Sequence, residues 1–131
     1  MGGIRPLKWR RPERPAILPA REVAGDYFDV LPLPDGRFAF LIADVSGKGT
    51  SAAFYAAETK GILSALDKEA LGPQAVLARL NGIWRQSNPR SLFMTAVYGT
   101  FDPRDGACAF VRAGHPAAFL RRADGSVERL C

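Results

Sequence analysis

The chain has 131 residues, 47% of them hydrophobic and 24% charged, with a formal net charge of +5. That balance suits one soluble globular domain and argues against whole-chain disorder. It also excludes a helical membrane span and a disulfide framework, because every apolar run is short and the only cysteines are Cys108 and Cys131.

The first segment, residues 1–20, reads as a basic arm or linker. Pro6, Pro12, Pro15 and Pro19 deny a helix its amides. Residues 1–22 hold six basic and two acidic groups, whereas the rest of the chain holds twelve and eleven, so the excess charge belongs to the arm. Such an arm can contact nucleic acid or anionic lipid, but a short proline-rich one is expected to be a solvated linker, and no nucleic acid partner is expected. The N-terminus lacks the apolar core of a secretory signal, and the sparse cysteine usage suits a reducing cytoplasm.

Residues 21–46 predict a β-hairpin. Tyr27, Phe28, Val30, Leu31 and Leu33 mark one strand, Pro34-Asp35-Gly36 the turn, and Phe38 to Val45 the second strand. The run FAFLIADV is apolar on both alternating faces until Asp44, which predicts a central strand covered on both sides. Ala52, Ala56, Thr59, Leu63 and Leu66 recur at helical spacing, with Thr50 or Ser51 as cap. Gly72-Pro73 separates that helix from a second one, marked by Val76, Leu77, Leu80, Ile83 and Trp84, which stops near Asn88-Pro89. The remainder is β: Leu92 to Phe101, the loop from Asp102 to Gly106, Cys108 to Arg112, and a hairpin of Phe119 to Arg122 and Val127 to Leu130 around Asp124-Gly125. This order predicts an α+β fold, with an antiparallel sheet carrying two neighbouring helices on one face.

Nucleophile–base machinery is not legible. The single histidine, His115, precedes a proline and reads as a turn residue bonding nearby backbone. Ser46-Gly47-Lys48-Gly49-Thr50 fails the phosphate-loop pattern, because Ile42 stands where its first glycine is needed and Gly49 follows the lysine. A glycine-rich turn opening a helix still offers backbone amides to an anion. Carboxylate placement is more informative. Asp26 begins the first strand and Asp44 ends the apolar second one. A hairpin brings both to one end of the sheet, where a hard divalent cation would compensate them; solvated or capped aspartates are the alternative. Asp29 fits either a supporting role behind that pair or a solvated position.

Ala20-Arg21-Glu22-Val23-Ala24-Gly25-Asp26-Tyr27-Phe28-Asp29-Val30 resembles the opening motif of the metal-dependent PPM-type protein phosphatases, relatives of the type 2C serine/threonine phosphatases, in their bacterial sporulation-phosphatase branch. Asp44-Val45-Ser46-Gly47-Lys48-Gly49-Thr50-Ser51-Ala52-Ala53 resembles the second motif. Leu80-Asn81, Phe93-Met94-Thr95, Asp102-Pro103 and Gly114-His115-Pro116 follow in the family order, and Ala24 departs from the family's glycine.

The resemblance implies a partial four-layer α-β-β-α sandwich, missing its C-terminal strands, over residues 21–131. It implies two Mn2+ or Mg2+ ions at one end of the sheets, with Asp26 and Asp44 as ligands, Asp44 bridging, and the backbone carbonyl of Val45 as a further ligand. A bridging water would then attack phosphorus in line. Arg21 would meet the substrate phosphate, and Gly25, Gly47 and Gly49 would let backbone approach the ions. The family's later Thr-Asp-Gly motif and final aspartate have no match here, since Asp105-Gly106 and Asp124-Gly125 read as hairpin turns. The site is therefore expected to be incomplete and turnover weak or absent. The implied partner is a phosphorylated regulatory protein of the anti-anti-sigma type, with an upstream sensor domain in longer relatives. The alternative is a non-catalytic, phosphatase-like interaction module.

Overall fold

The computed structural model describes residues 26–46, 50–88 and 91–130. The arm, Arg21, Gly25, Gly47 and Gly49 lie outside them. Eight elements follow in order: β1 (Asp26–Pro32), β2 (Phe38–Val45), α1 (Thr50–Ala65), α2 (Pro73–Ser87), β3 (Met94–Phe101), β4 (Cys108–Ala113), β5 (Ala118–Arg121) and β6 (Val127–Leu130). Strands β1 to β4 form an antiparallel sheet in sequence order, and β5 and β6 form a separate two-stranded sheet. The fold is α+β, as expected.

The β1–β2 turn closes on itself: Leu33 N–H donates to the Arg37 carbonyl at 2.8 Å and Gly36 N–H to the Leu33 carbonyl at 3.0 Å. That turn sets the register, in which Asp26 stands opposite Asp44 and Phe28 opposite Ile42. Strand β3 continues it, with Ala43 opposite Ala96, Leu41 opposite Tyr98 and Asp44 opposite Thr95.

Strand alternation divides the sheet into two unlike faces. Ala39, Leu41, Ala43 and Val45 of β2 lie on the first face with Ala96 and Tyr98 of β3, all buried. Here α1 packs on β1 and β2, and α2 on β3 and β4. The small residues at the helical period of α1, Ala52, Ala56 and Thr59, let it approach closely, and Leu63 extends its stripe. Helix α2 contributes Val76, Leu77, Leu80 and Trp84. Each large aliphatic side chain so buried stabilises the fold by roughly 1.5–3 kcal/mol.

The second face holds Phe28 and Val30 of β1, Phe40 and Ile42 of β2, Val97 of β3 and Phe110 of β4. Ile42 is 48% exposed and Val30 56%. The expectation that β2 is covered on both sides is therefore met only in part. The β5–β6 hairpin lies over part of this face, and a cavity of about 350 Å³ remains between Phe40, Ile42, Val97 and Phe110 and the hairpin's Phe119, Leu120 and Leu130. Strand β3 begins at Met94 rather than Leu92, because Ser46 brackets Phe93 from both sides. Ser46 N–H donates to the Phe93 carbonyl at 2.8 Å, and Phe93 N–H donates to Ser46 Oγ at 2.9 Å.

Candidate metal centre

The register that builds the hairpin also builds the site. Asp26 is the first residue of β1 and Asp44 the second-to-last of β2; they face each other across the ladder, on the open face, and both are exposed. Directly opposed side chains on one face of an antiparallel pair have Cβ atoms roughly 4.5–5.5 Å apart, and like charges there repel.

The other aspartates show what an aspartate does when it has a local task. Asp29 Oδ2 accepts the Tyr27 hydroxyl at 2.8 Å, and Lys60 Nζ lies 3.9 Å away. Asp35 holds the Arg37 guanidinium at 2.7 Å. Asp67 accepts from Ala70 N–H, Asp105 from Ala107 N–H and Asp124 from Ser126 N–H. Asp102 binds Arg104 through both carboxylate oxygens, which holds its carboxyl down at about 2. All eight aspartates of the chain are described. Asp26 and Asp44 are the two whose carboxylates take no hydrogen bond or ion pair among the described residues. Two unpartnered carboxylates, opposed and solvent-accessible, form a hard oxygen donor set that suits a magnesium- or manganese-like cation. Among the described residues no group of three or more His, Cys, Asp or Glu side chains converges as a ready-made metal cage.

Val45 adds its main chain only. Its side chain is buried on the helix-covered face at 2% exposure, so any donor it offers comes from the main chain. Asp29 is corrected to a different role. It lies three positions along the strand from Asp26, so alternation places it on the opposite face, where it tethers Tyr27 and α1. Burial and the Asp29 hydrogen bond push the Tyr27 phenol above its ordinary pKa.

His115 is also corrected. Its carbonyl does accept from Arg112 Nη1 at 3.0 Å, as a turn residue would. Its ring, however, reaches back to β3, with Nδ1 2.9 Å from Thr95 Oγ1. Thr95 is the β3 residue opposite Asp44. The polar end of the open face is thus a row, Asp26, Asp44, Thr95 and His115, running across three strands. Sequence reasoning quoted both Thr95 and His115 within motifs but gave Thr95 no role and His115 only that of a turn residue. The signal that could have found Thr95 was its position at the start of a strand pairing with β2.

Comparison with known proteins identifies the family. The family model described as stage II sporulation protein E (SpoIIE) matches residues 34–131. The chain belongs to the SpoIIE family. It is 29% identical over 102 residues to the phosphoserine phosphatase RsbU of Bacillus subtilis, covering 78% of this chain and 30% of that protein. Among solved structures, it matches the RsbU and RsbW domains of Rv1364c from Mycobacterium tuberculosis with a TM-score of 0.74 at 26% identity, covering 85% of this chain and 31% of that one. The PP2C phosphatase domain of SpoIIE from Bacillus subtilis matches with a TM-score of 0.69 at 24% identity, covering 82% and 32%, and shows the shared fold. The SpoIIE-family chain therefore spans about a third of the length of these relatives. Among its described residues no helix is long and apolar enough to cross a membrane.

Proposed function

We propose that this SpoIIE-family chain supplies one wall of a metal-dependent phosphatase site, and that its reaction is hydrolysis of phosphoserine or phosphothreonine on a regulatory protein. The observation that carries the reading is the opposed pair Asp26 and Asp44, unpartnered among the described residues and set against six aspartates that are each satisfied locally. Asp26 and Asp44 would hold two Mn2+ or Mg2+ ions, with the Val45 carbonyl as a further donor. Bound there, the cations supply charge neutralisation and Lewis acidity toward a phosphate monoester. The chain's own contribution is to fix two carboxylates at one height on adjacent strands, so that the donor set is preformed.

Arg21, Gly25, Gly47 and Gly49 retain the roles that the family resemblance implies, phosphate contact for the arginine and close backbone approach for the glycines. The substrate is assigned as an anti-anti-sigma-type phosphoprotein, in keeping with RsbU as a relative and with Rv1364c, whose solved structure joins RsbU and RsbW domains. A cytoplasmic location follows from that assignment.

The test is phosphate release from a phosphoserine-bearing protein by the 131-residue chain, with and without manganese. Slow, manganese-dependent release that is lost in Asp44→Ala supports the reading. Release indifferent to manganese or to Asp44→Ala overturns it. Binding of the phosphoprotein without manganese binding would instead mark the chain as an interaction module.

A further inference from the structure

We propose that His115, held by Thr95, is a phosphate-binding residue of the same site. This inference rests on the metal-centre reading above.

The argument begins with the backbone. Gly114 has φ +65°, a conformation that side-chain-bearing residues rarely adopt. It lies at the end of β4, bridged to Ala96 of β3. The left-handed residue turns the chain back over the sheet, and Arg112 Nη1 fixes the returning segment by its hydrogen bond to the His115 carbonyl. The ring is thereby set beside Thr95, itself opposite Asp44.

The hydrogen bond then bears on the tautomer. A threonine hydroxyl carries one proton, and among the described residues Thr95 Oγ1 has one partner, His115 Nδ1. Either group can donate across this bond; with Thr95 as the donor, Nδ1 accepts. A neutral imidazole that accepts at Nδ1 carries its proton at Nε2. The row across the sheet end thus pairs two anionic oxygen donors for cations, Asp26 and Asp44, with one N–H donor for an anion. A phosphate bound by cations between carboxylates still has oxygens that need donors, and a fixed N–H at the end of the row meets that need. Thr95 is a positioning residue: it orients the ring and fixes which nitrogen carries hydrogen.

His115 is the single histidine in the chain, so its imidazole signals can be assigned without ambiguity. The experiment is 15N–1H NMR of that ring in the full chain, with magnesium and inorganic phosphate as probes. The ring of the wild type is expected to show the Nε2–H form, Thr95→Val to lose it, and Thr95→Ser to restore it. Adding phosphate in the presence of magnesium is expected to shift the ring signals. His115→Ala is expected to weaken phosphate binding about tenfold, with magnesium binding retained. Magnesium binding with ring signals unmoved by phosphate, or a tautomer indifferent to Thr95→Val, overturns the proposal. Failure of the wild type to bind magnesium by calorimetry, with the Thr95-dependent tautomer intact, overturns the metal reading and the phosphate role together while leaving the tautomer assignment standing.

Discussion

Strand β2 is a single sentence of sequence with two different meanings on its two faces. Its odd-numbered residues, from Ala39 to Val45, lie under two helices and are sealed from water. Its even-numbered residues, Phe38 to Asp44, face a surface that only a short hairpin begins to cover, and Ile42 is left half in solvent. Both faces are apolar along most of their length. What separates them is what packs there, and how each ends. The covered face ends in buried Val45, the open face in Asp44 opposite Asp26. Stability is concentrated on the first face and chemistry at the end of the second. Each can be perturbed without the other, because alternation keeps adjacent residues apart.

The largest expected effect lies on the covered face. Leu41→Ala should cost about 2–5 kcal/mol, the usual range for emptying a fully buried leucine site. Ile42→Ala, one residue along, should cost well under half as much, because half its surface already meets water. Urea unfolding of both variants measures the contrast, and equal losses would mean that the open face is as well packed as the covered one.

Next comes Gly99, where the open face is tightly built. A Cβ at this position would lie 2.5 Å from Phe40 Cζ, 2.6 Å from the Ala109 carbonyl oxygen and 2.7 Å from Phe110 Cβ. The phenylalanine ring can shift, but the carbonyl belongs to the neighbouring strand. Gly99→Ala should therefore lower stability by about 1–3 kcal/mol, read as a lower thermal midpoint.

A smaller change of opposite sign is expected at Tyr98, which is fully buried and whose hydroxyl has no hydrogen-bond partner among the described residues. Burial also pushes its phenol above the ordinary pKa, with the Arg37 charge opposing. Tyr98→Phe removes the unsatisfied group and keeps the ring, so it should raise stability by about 1 kcal/mol. A loss of stability would reveal a partner for that hydroxyl.

The smallest effect belongs to the site. In metal-free buffer Asp44→Asn should stabilise the chain by about 0.2–1 kcal/mol, because it removes the like-charge pair with Asp26. Raising the salt concentration should shrink that gain, since exposed charges are screened. Destabilisation by the same substitution would mean that Asp44 has a structural partner.

Much of this was legible in the sequence, and the reasons are local. Pro34-Asp35-Gly36 announced a tight turn, and a tight turn fixes register, so the meeting of Asp26 and Asp44 followed from counting along the two strands. The spacing of Ala52, Ala56, Thr59 and Leu63 located α1, and the Gly72-Pro73 pair separated it from α2. The Asp105 and Asp124 turns were recognisable because each sits before a glycine between two β-like runs. The exposure of Ile42 was not legible, because an alternating apolar strand carries no record of how much of the second layer reaches it. Asp29 was left between a supporting role and a solvated one, although period two already put it on the face away from Asp26. His115 was read too locally. Its ring partner lies 20 residues back, on β3, and only the left-handed turn at Gly114 brings the two together.

The most direct test of the central claim is a calorimetric titration of manganese into the wild-type chain and into Asp44→Asn. The facing pair predicts saturable binding by the wild type and a loss of at least about tenfold in affinity in the variant, with the fold unchanged by circular dichroism. Indistinguishable isotherms, or no binding by the wild type, would contradict the assignment of Asp26 and Asp44 as the cation-holding pair.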